Sequence, residues 1–399
     1  MNKFMILGAS VLQVPAIEKA LQMGLEVYVL DYNPDAVGLK LPGVHKEIIS
    51  TIDLSGVVEC AKKYNIDGIM TLATDMPMRS VASVCTELGL TGIDTDTAIR
   101  ATNKFEMRKA LQSKGVPIPL YHITSSQQEC LKAAEDIHKR GMKCIIKPVD
   151  SSGSRGISLL SNFDEDKILE AYNYSFQYSH CGRVLVEEFM EGPEVSVETL
   201  SIHGTCHVVQ ITDKLTTGAP YFVEMGHSQP SMLPEEMQRE IVRIAQEANQ
   251  AIGIQNGPSH TEIIVTADGP KIVELGARLG GDNIATHLVP LSTGVDLVES
   301  CIQMALGQIP KLDCTLNKAA AIRYFPTSAG KIKKIEGIEE SKRVQGVKEV
   351  YVVHGVGSQL NGIFCSSDRM GFVIAQADSS SEAIRACEQA LERIHVIVE

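Results

Sequence analysis

Over the first hundred residues, short apolar runs alternate with amphipathic stretches, a pattern that predicts parallel strands joined by helices. Residues 4–7 read as a strand, 15–23 as a helix opened by Pro15, 25–31 as a second strand, 57–64 as a helix and 66–72 as a further strand. Such βα repeats predict an open doubly wound sheet, whose ligands sit beyond the carboxyl ends of the strands. Gly8, Ala9, Ser10, Asp31 and Asp75 then lie on the binding edge. For the two aspartates, capping or turn formation is an equal alternative. Asp31 ends the second strand, where a dinucleotide site would place its ribose-binding acid. The first turn, however, reads Gly8-Ala9-Ser10-Val11-Leu12-Gln13. Only the first fingerprint glycine is present, and Val11 and Gln13 would crowd a pyrophosphate, so nicotinamide binding is not expected.

The pattern changes near 91–103, where Thr/Asp-rich capping residues precede a charged helix over 104–113 and the turn Gly115-Val116-Pro117-Ile118-Pro119. A domain boundary is placed there. Beyond it, two strand-like runs within 144–160 flank a Gly/Ser-rich loop, and 183–200 holds two strands around Gly192-Pro193. A long amphipathic helix covers 234–252, and 262–265 with 271–275 form an antiparallel pair around Asp268-Gly269. The tail is strand-rich over 319–374 and closes with a helix over 380–394. The fold class is therefore α/β, with an N-terminal doubly wound domain (1–100), an α+β domain (101–310) and a strand-rich C-terminal lobe (311–399).

At 399 residues the chain exceeds one ordinary domain, and 44% hydrophobic with 22% charged residues excludes disordered and coiled-coil classes. The net charge of -12 disfavours non-specific binding to nucleic acid or anionic membrane. No apolar run reaches the ~20 residues that span a bilayer, and residues 1–8 read as a strand rather than a signal peptide, so a cytoplasmic location is expected. The ten cysteines form no CxxC pair and read as small buried hydrophobes.

Three constellations carry chemistry. In Ile145-Ile146-Lys147-Pro148-Val149-Asp150-Ser151-Ser152-Gly153-Ser154-Arg155-Gly156, a lysine ending a strand joins a point cation to a flexible loop whose N–H groups can fold over an anion. It is not a Walker loop, because the lysine precedes the glycines. In Val186-Glu187-Glu188-Phe189-Met190-Glu191-Gly192-Pro193-Glu194, an acid ends an apolar strand before backbone and apolar side chains suited to an adenine edge and face; Glu194 is spaced to reach ribose. Finally, Glu262 and Glu274 pair across a hairpin, an arrangement that suits Mg²⁺, and Arg278 follows four residues later to brace a phosphoryl group or oxyanion. Taken singly, the first is also readable as a surface hairpin and the second as a solvated edge.

In this order and separation the three features resemble the ATP-grasp superfamily of carboxylate-amine ligases, over roughly residues 1–310 and more loosely beyond. Thr102-Asn103-Lys104-Phe105-Glu106-Met107-Arg108 matches the family's T-x-K-x-x-M/F start. The resemblance makes 1–100 a pre-ATP-grasp domain and 101–310 the grasp, with a lid at about 120–190. It implies that Lys104 and Lys147 contact the α and β phosphates and that Ser151, Ser152, Gly153 and Gly156 form the phosphate lid. Glu187, Glu188, Phe189 and Met190 would hold adenine, and Glu194 ribose. Lys214 would approach the γ-phosphate, Glu262 and Glu274 would bind Mg²⁺, or Mn²⁺ in its place, and Arg278 would be the catalytic cation. The usual E-x-N-x-R metal motif reads Glu274-Leu275-Gly276-Ala277-Arg278 here, so water or a group such as Asp282 would supply the missing oxygen.

The activity implied by the resemblance is ATP-dependent amide or peptide bond formation through an acyl phosphate, with release of ADP and phosphate.

 The expected partners are thus a small carboxylate, a small amine and a second copy of the chain, with neither nucleic acid nor membrane among them. Amino acids are the favoured substrates, because Glu274 to Asp282 looks like standalone dipeptide-forming members. Carbamoyl-phosphate-synthase-like, biotin-carboxylase-like or phosphoribosylglycinamide-synthetase-like chemistry is the alternative, and a catalytically silent ATP binder a third. Glu224, His227 and Asp282 are the candidate substrate residues, with the stretch 212–231 bordering the acceptor pocket. His260 and His287 read as structural histidines or proton carriers.

Overall fold

A computed structural model describes residues 1–150 and 155–399. The N-terminal domain is a parallel four-stranded sheet in the order Val44–Ile48, Glu26–Asp31, Lys3–Leu7, Gly68–Thr71. Its apolar strands alternate between two buried faces, Met5 and Leu7 on one and Phe4 and Ile6 on the other. The edge strand Val44–Ile48 escapes the sequence pattern because its Val-His-Lys-Glu-Ile run is mostly polar and partly exposed. At the carboxyl edge, the buried Gln13 side chain donates to Leu72 O (2.6 Å) and accepts from Ser10 N and Oγ. Asp31 accepts from Ala9 N (2.8 Å) and Asn33 N (2.9 Å), so its carboxylate closes turns.

An antiparallel eight-stranded sheet forms the main body, in the order Gly269–Gly276, Gly257–Thr266, Glu194–Ile202, Thr205–Thr216, Glu224–Gln229, Ala319–Tyr324, Gly371–Ala377, Val347–Val352. The strand-rich tail is therefore built onto the same sheet, through Gly226 opposite Arg323. The sequence pattern ends the chain in a helix; the helix stops at Leu391, and His395–Val398 adds a strand against Gly330–Glu336. Such a short run becomes a strand only because a partner edge is waiting for it.

A second antiparallel sheet, Tyr121–Thr124, Val184–Glu188, Cys144–Pro148, Ser158–Leu160, carries the helices Gln127–Lys139 and Glu165–Gln177 on its own core of Ile137, Ile146, Ile168, Tyr172 and Val186. By contrast, the N-terminal domain shares both of its cores with the body: Met5 and Leu7 belong with Ile241 and Ile263, Phe4 and Ile6 with Leu279 and Ile322. Seven of the ten cysteines are buried.

Candidate functional site

Asn103 caps the helix Lys104–Ser113 by accepting from Phe105 N and Glu106 N, which fixes Lys104 at the first helical position. Its ammonium lies 2.9 Å from Glu274, and Glu274 and Asp75 hold its pKa up against the opposing effect of burial. On the same helix, Arg108 is fully buried and donates to Glu187 (2.6 Å) and to Val273 O (2.7 Å). The second Glu187 oxygen takes Lys147 at 2.6 Å. Burial alone would raise the Glu187 pKa, but the two cations outweigh it and hold the carboxyl at about 2. Burial, with Arg108 and Lys104 nearby, lowers Lys147 in spite of Glu187. Sequence reasoning missed Arg108; the available signal was a cation beside Met107 on the apolar face of an amphipathic helix.

The segment after Glu187 is more internally bonded than an open adenine edge would be. Glu188 N donates to Leu120 O and Phe189 N to Lys143 O, while the Glu188 carboxylate pairs with Lys271 and accepts from Leu120 N. Phe189 lies 5.9 Å from the Phe222 ring, and Met190 is buried. Gly156 has φ +74°, a left-handed conformation suited to glycine. Ser151, Ser152 and Gly153 lie outside the described residues.

Glu262 and Glu274 are direct register partners on adjacent strands. Lys214, 3% exposed, lies 3.1 Å from Glu262, 2.5 Å from Glu194 and 3.7 Å from Glu224. Burial opposes its charge, yet the three carboxylates raise its pKa well above the ordinary value. One ammonium among three carboxylates leaves a net charge of about -2, a setting that favours a divalent cation. Two facing glutamates also meet the need of Mg²⁺, which takes one or two protein carboxylates and completes its octahedron with water and phosphate. Among the described residues, no group of three or more acids, histidines or cysteines is arranged to hold a metal. Beside Glu262, buried His260 is paired through Nδ1 with Glu198 and approaches Glu262 through Nε2 at 3.4 Å. Glu198 in turn accepts from Gly280 N at 3.1 Å.

Arg278 forms a two-pronged ion pair with Asp75, Nε to Oδ1 and Nη2 to Oδ2, both 3.0 Å. Of the two edge aspartates, Asp31 is spent on turns and Asp75 reaches the site. Asp282 does not stand beside Gly276. Its oxygens are held by Arg369 at 2.6 and 2.7 Å, with His227 at 3.2 Å, and the resulting charge contacts keep the carboxyl far below its ordinary range despite burial. Arg369 also donates to Glu224 O (3.1 Å) and stacks 3.8 Å over the Tyr324 ring. The structure thus gathers Glu224, His227 and Asp282 around Arg369 of the C-terminal lobe, a residue the sequence reading did not single out. The stretch 212–231 is mostly strand, with its loop confined to 217–223. His287 lies apart, 3.5 Å from Glu349.

Comparison with known proteins bears on the family and the fold. Residues 140–286 match an ATP-grasp domain and residues 323–399 an L-amino acid ligase C-terminal domain 2. An uncharacterized protein of Sinorhizobium fredii, y4rH, is 31% identical over 344 residues, covering 84% of this chain and 68% of its own length. An L-arginine-specific L-amino acid ligase of Bacillus subtilis is 28% identical over 278 residues, covering 67% of this chain and 65% of the relative. The crystal structure of an L-amino acid ligase from Bacillus licheniformis superposes with a TM-score of 0.85 at 26% identity, over 100% of this chain and 99% of that one. The chain belongs to the ATP-grasp ligases.

Proposed function

We propose that the protein joins the carboxylate of one amino acid to the amine of another through an acyl phosphate, with ATP converted to ADP and phosphate. The observation that carries this reading is the cation set around the facing glutamates: Lys104 on Glu274, Lys214 on Glu262, and Arg278 four residues beyond Glu274. The match of 323–399 to an amino acid ligase domain favours amino acids over bicarbonate or a purine precursor.

A carboxylate is a poor electrophile because it is anionic and its leaving group would be oxide. Transfer of the γ-phosphoryl group onto it creates a mixed anhydride with phosphate as the leaving group. Lys147, Lys214 and Arg278 offset the negative charge that develops during transfer. Both lysines are paired with carboxylates, so phosphate binding exchanges one anionic partner for another. Mg²⁺ or Mn²⁺, held by Glu262 and Glu274, would supply further neutralisation of phosphate charge when bound. The amine then attacks the acyl carbon, Arg278 stabilises the tetrahedral oxyanion, and phosphate departs. Glu224 is suited to hold a substrate ammonium group, with Tyr221 and Phe222 beside it for an apolar side chain. A homodimer in the cytoplasm completes the reading.

The test is ADP release with Mg²⁺ and ATP, scanning amino acids singly and in pairs, with bicarbonate or phosphoribosylamine plus glycine in parallel. Release that requires two amino acids and disappears in Arg278→Ala is expected. Release with bicarbonate or the purine precursor alone would replace this reading with the alternative.

A further inference from the structure

The metal motif of this chain has Gly276 where the family's pattern has asparagine, and the surroundings of Gly276 say what fills the space. A Cβ at this position would lie 2.5 Å from Asp75 Oδ1 and 3.3 Å from the Arg278 guanidinium. The former is a separation that real Cβ atoms do not adopt, so a side chain at 276 would require the Asp75 carboxylate to move. Asp75 comes from the loop after the strand Gly68–Thr71, in which Ala73 has φ +63°. Its main-chain oxygen accepts from Met78 N, which ties the loop to the following helix.

We infer that Asp75 is a positioning residue that holds Arg278 in its working orientation across the junction of the N-terminal domain and the main body, and that Gly276 makes room for it. The inference rests on the ligase reading given above. An arginine side chain has many rotamers, and a bidentate carboxylate removes most of that freedom before substrate arrives. Asp75 occupies the Nε/Nη2 edge. Among the described residues, Nη1 makes only a long 3.4 Å bond to Leu279 O. Asp75 thus acts through Arg278 and not on the substrate.

The test uses the full chain and the substrate pair found by ADP release. Asp75→Asn keeps the shape and removes the charge; kcat should fall about 10- to 100-fold, as for other residues that orient a reacting group. KM for ATP and the thermal shift caused by Mg·ATP should stay as in the parent, whereas a merely structural role would move them with kcat. Gly276→Asn should lose both activity and melting temperature by displacing Asp75, and Asp75→Ala/Gly276→Asn should recover part of the melting temperature but not the activity. A parental kcat in Asp75→Asn, or a double variant that melts no higher than Gly276→Asn, would overturn the inference. If the parent releases no ADP with any pair, the ligase reading fails separately, and the recovery of melting temperature in the double variant still decides whether 75 and 276 share one space.

Discussion

Glu187 is the residue whose environment most constrains its behaviour, because two buried cations converge on one buried carboxylate. Glu187→Gln would leave Arg108 and Lys147 without a counter-charge, and a loss of about 3–5 kcal/mol is expected from denaturant unfolding. The same carboxyl sets an acid limit. Its folded pKa, about 2, is below its ordinary 4.5, so its stabilising contribution is complete above about 4.5 and is lost as pH falls toward 2. Unfolding free energy measured from pH 6 to pH 2 should fall more steeply in the parent than in Glu187→Gln. Lys104 and Lys147 were legible locally, from a capped helix start and a strand-ending lysine. Arg108 was not, since its partner stands 79 positions away.

Among the elements, the hairpin of Gly257–Thr266 and Gly269–Gly276 was readable because its turn and alternation are local, and its register puts Glu262 opposite Glu274 as the spacing requires. The lobe segment bearing Arg369 was not, because its meaning depends on Glu224 and Asp282, 145 and 87 positions away. Phe364 of this segment packs edge-on against Tyr221, 5.0 Å between ring centres, and Ser366 donates to Glu224 at 3.1 Å. Arg369→Met keeps the stem and removes the ion pair. Steady-state kinetics should show a raised KM for one amino acid with KM for ATP unchanged; equal effects on both would argue against a role for this segment at the acceptor side.

For the whole molecule, shared cores make the N-terminal domain and the main body one cooperative unit, while the small sheet has a core of its own. Calorimetry should therefore resolve the small sheet from the body and never the N-terminal domain from it. Ile263→Ala, in the shared core, should cost about 2–5 kcal/mol and lower the main transition. Mg·ATP should raise the melting temperature well beyond Mg²⁺ alone, because Glu262 and Glu274 supply only part of a metal shell and phosphate oxygens complete it.

The amino-acid sequence by itself determined the βα texture of the first hundred residues, the capped start at Lys104, the facing glutamates and the family. The first three depend on periodicity, turns and spacings within a few tens of residues, where chain geometry leaves few alternatives, while the family rests on the resemblance of the motifs. Only the tertiary structure decided that the tail continues the central sheet, that Asp282 is held by Arg369, and that Asp75 meets Arg278 across 203 positions. Such pairings are chosen by packing among many sterically open partners, and no local period records which one wins.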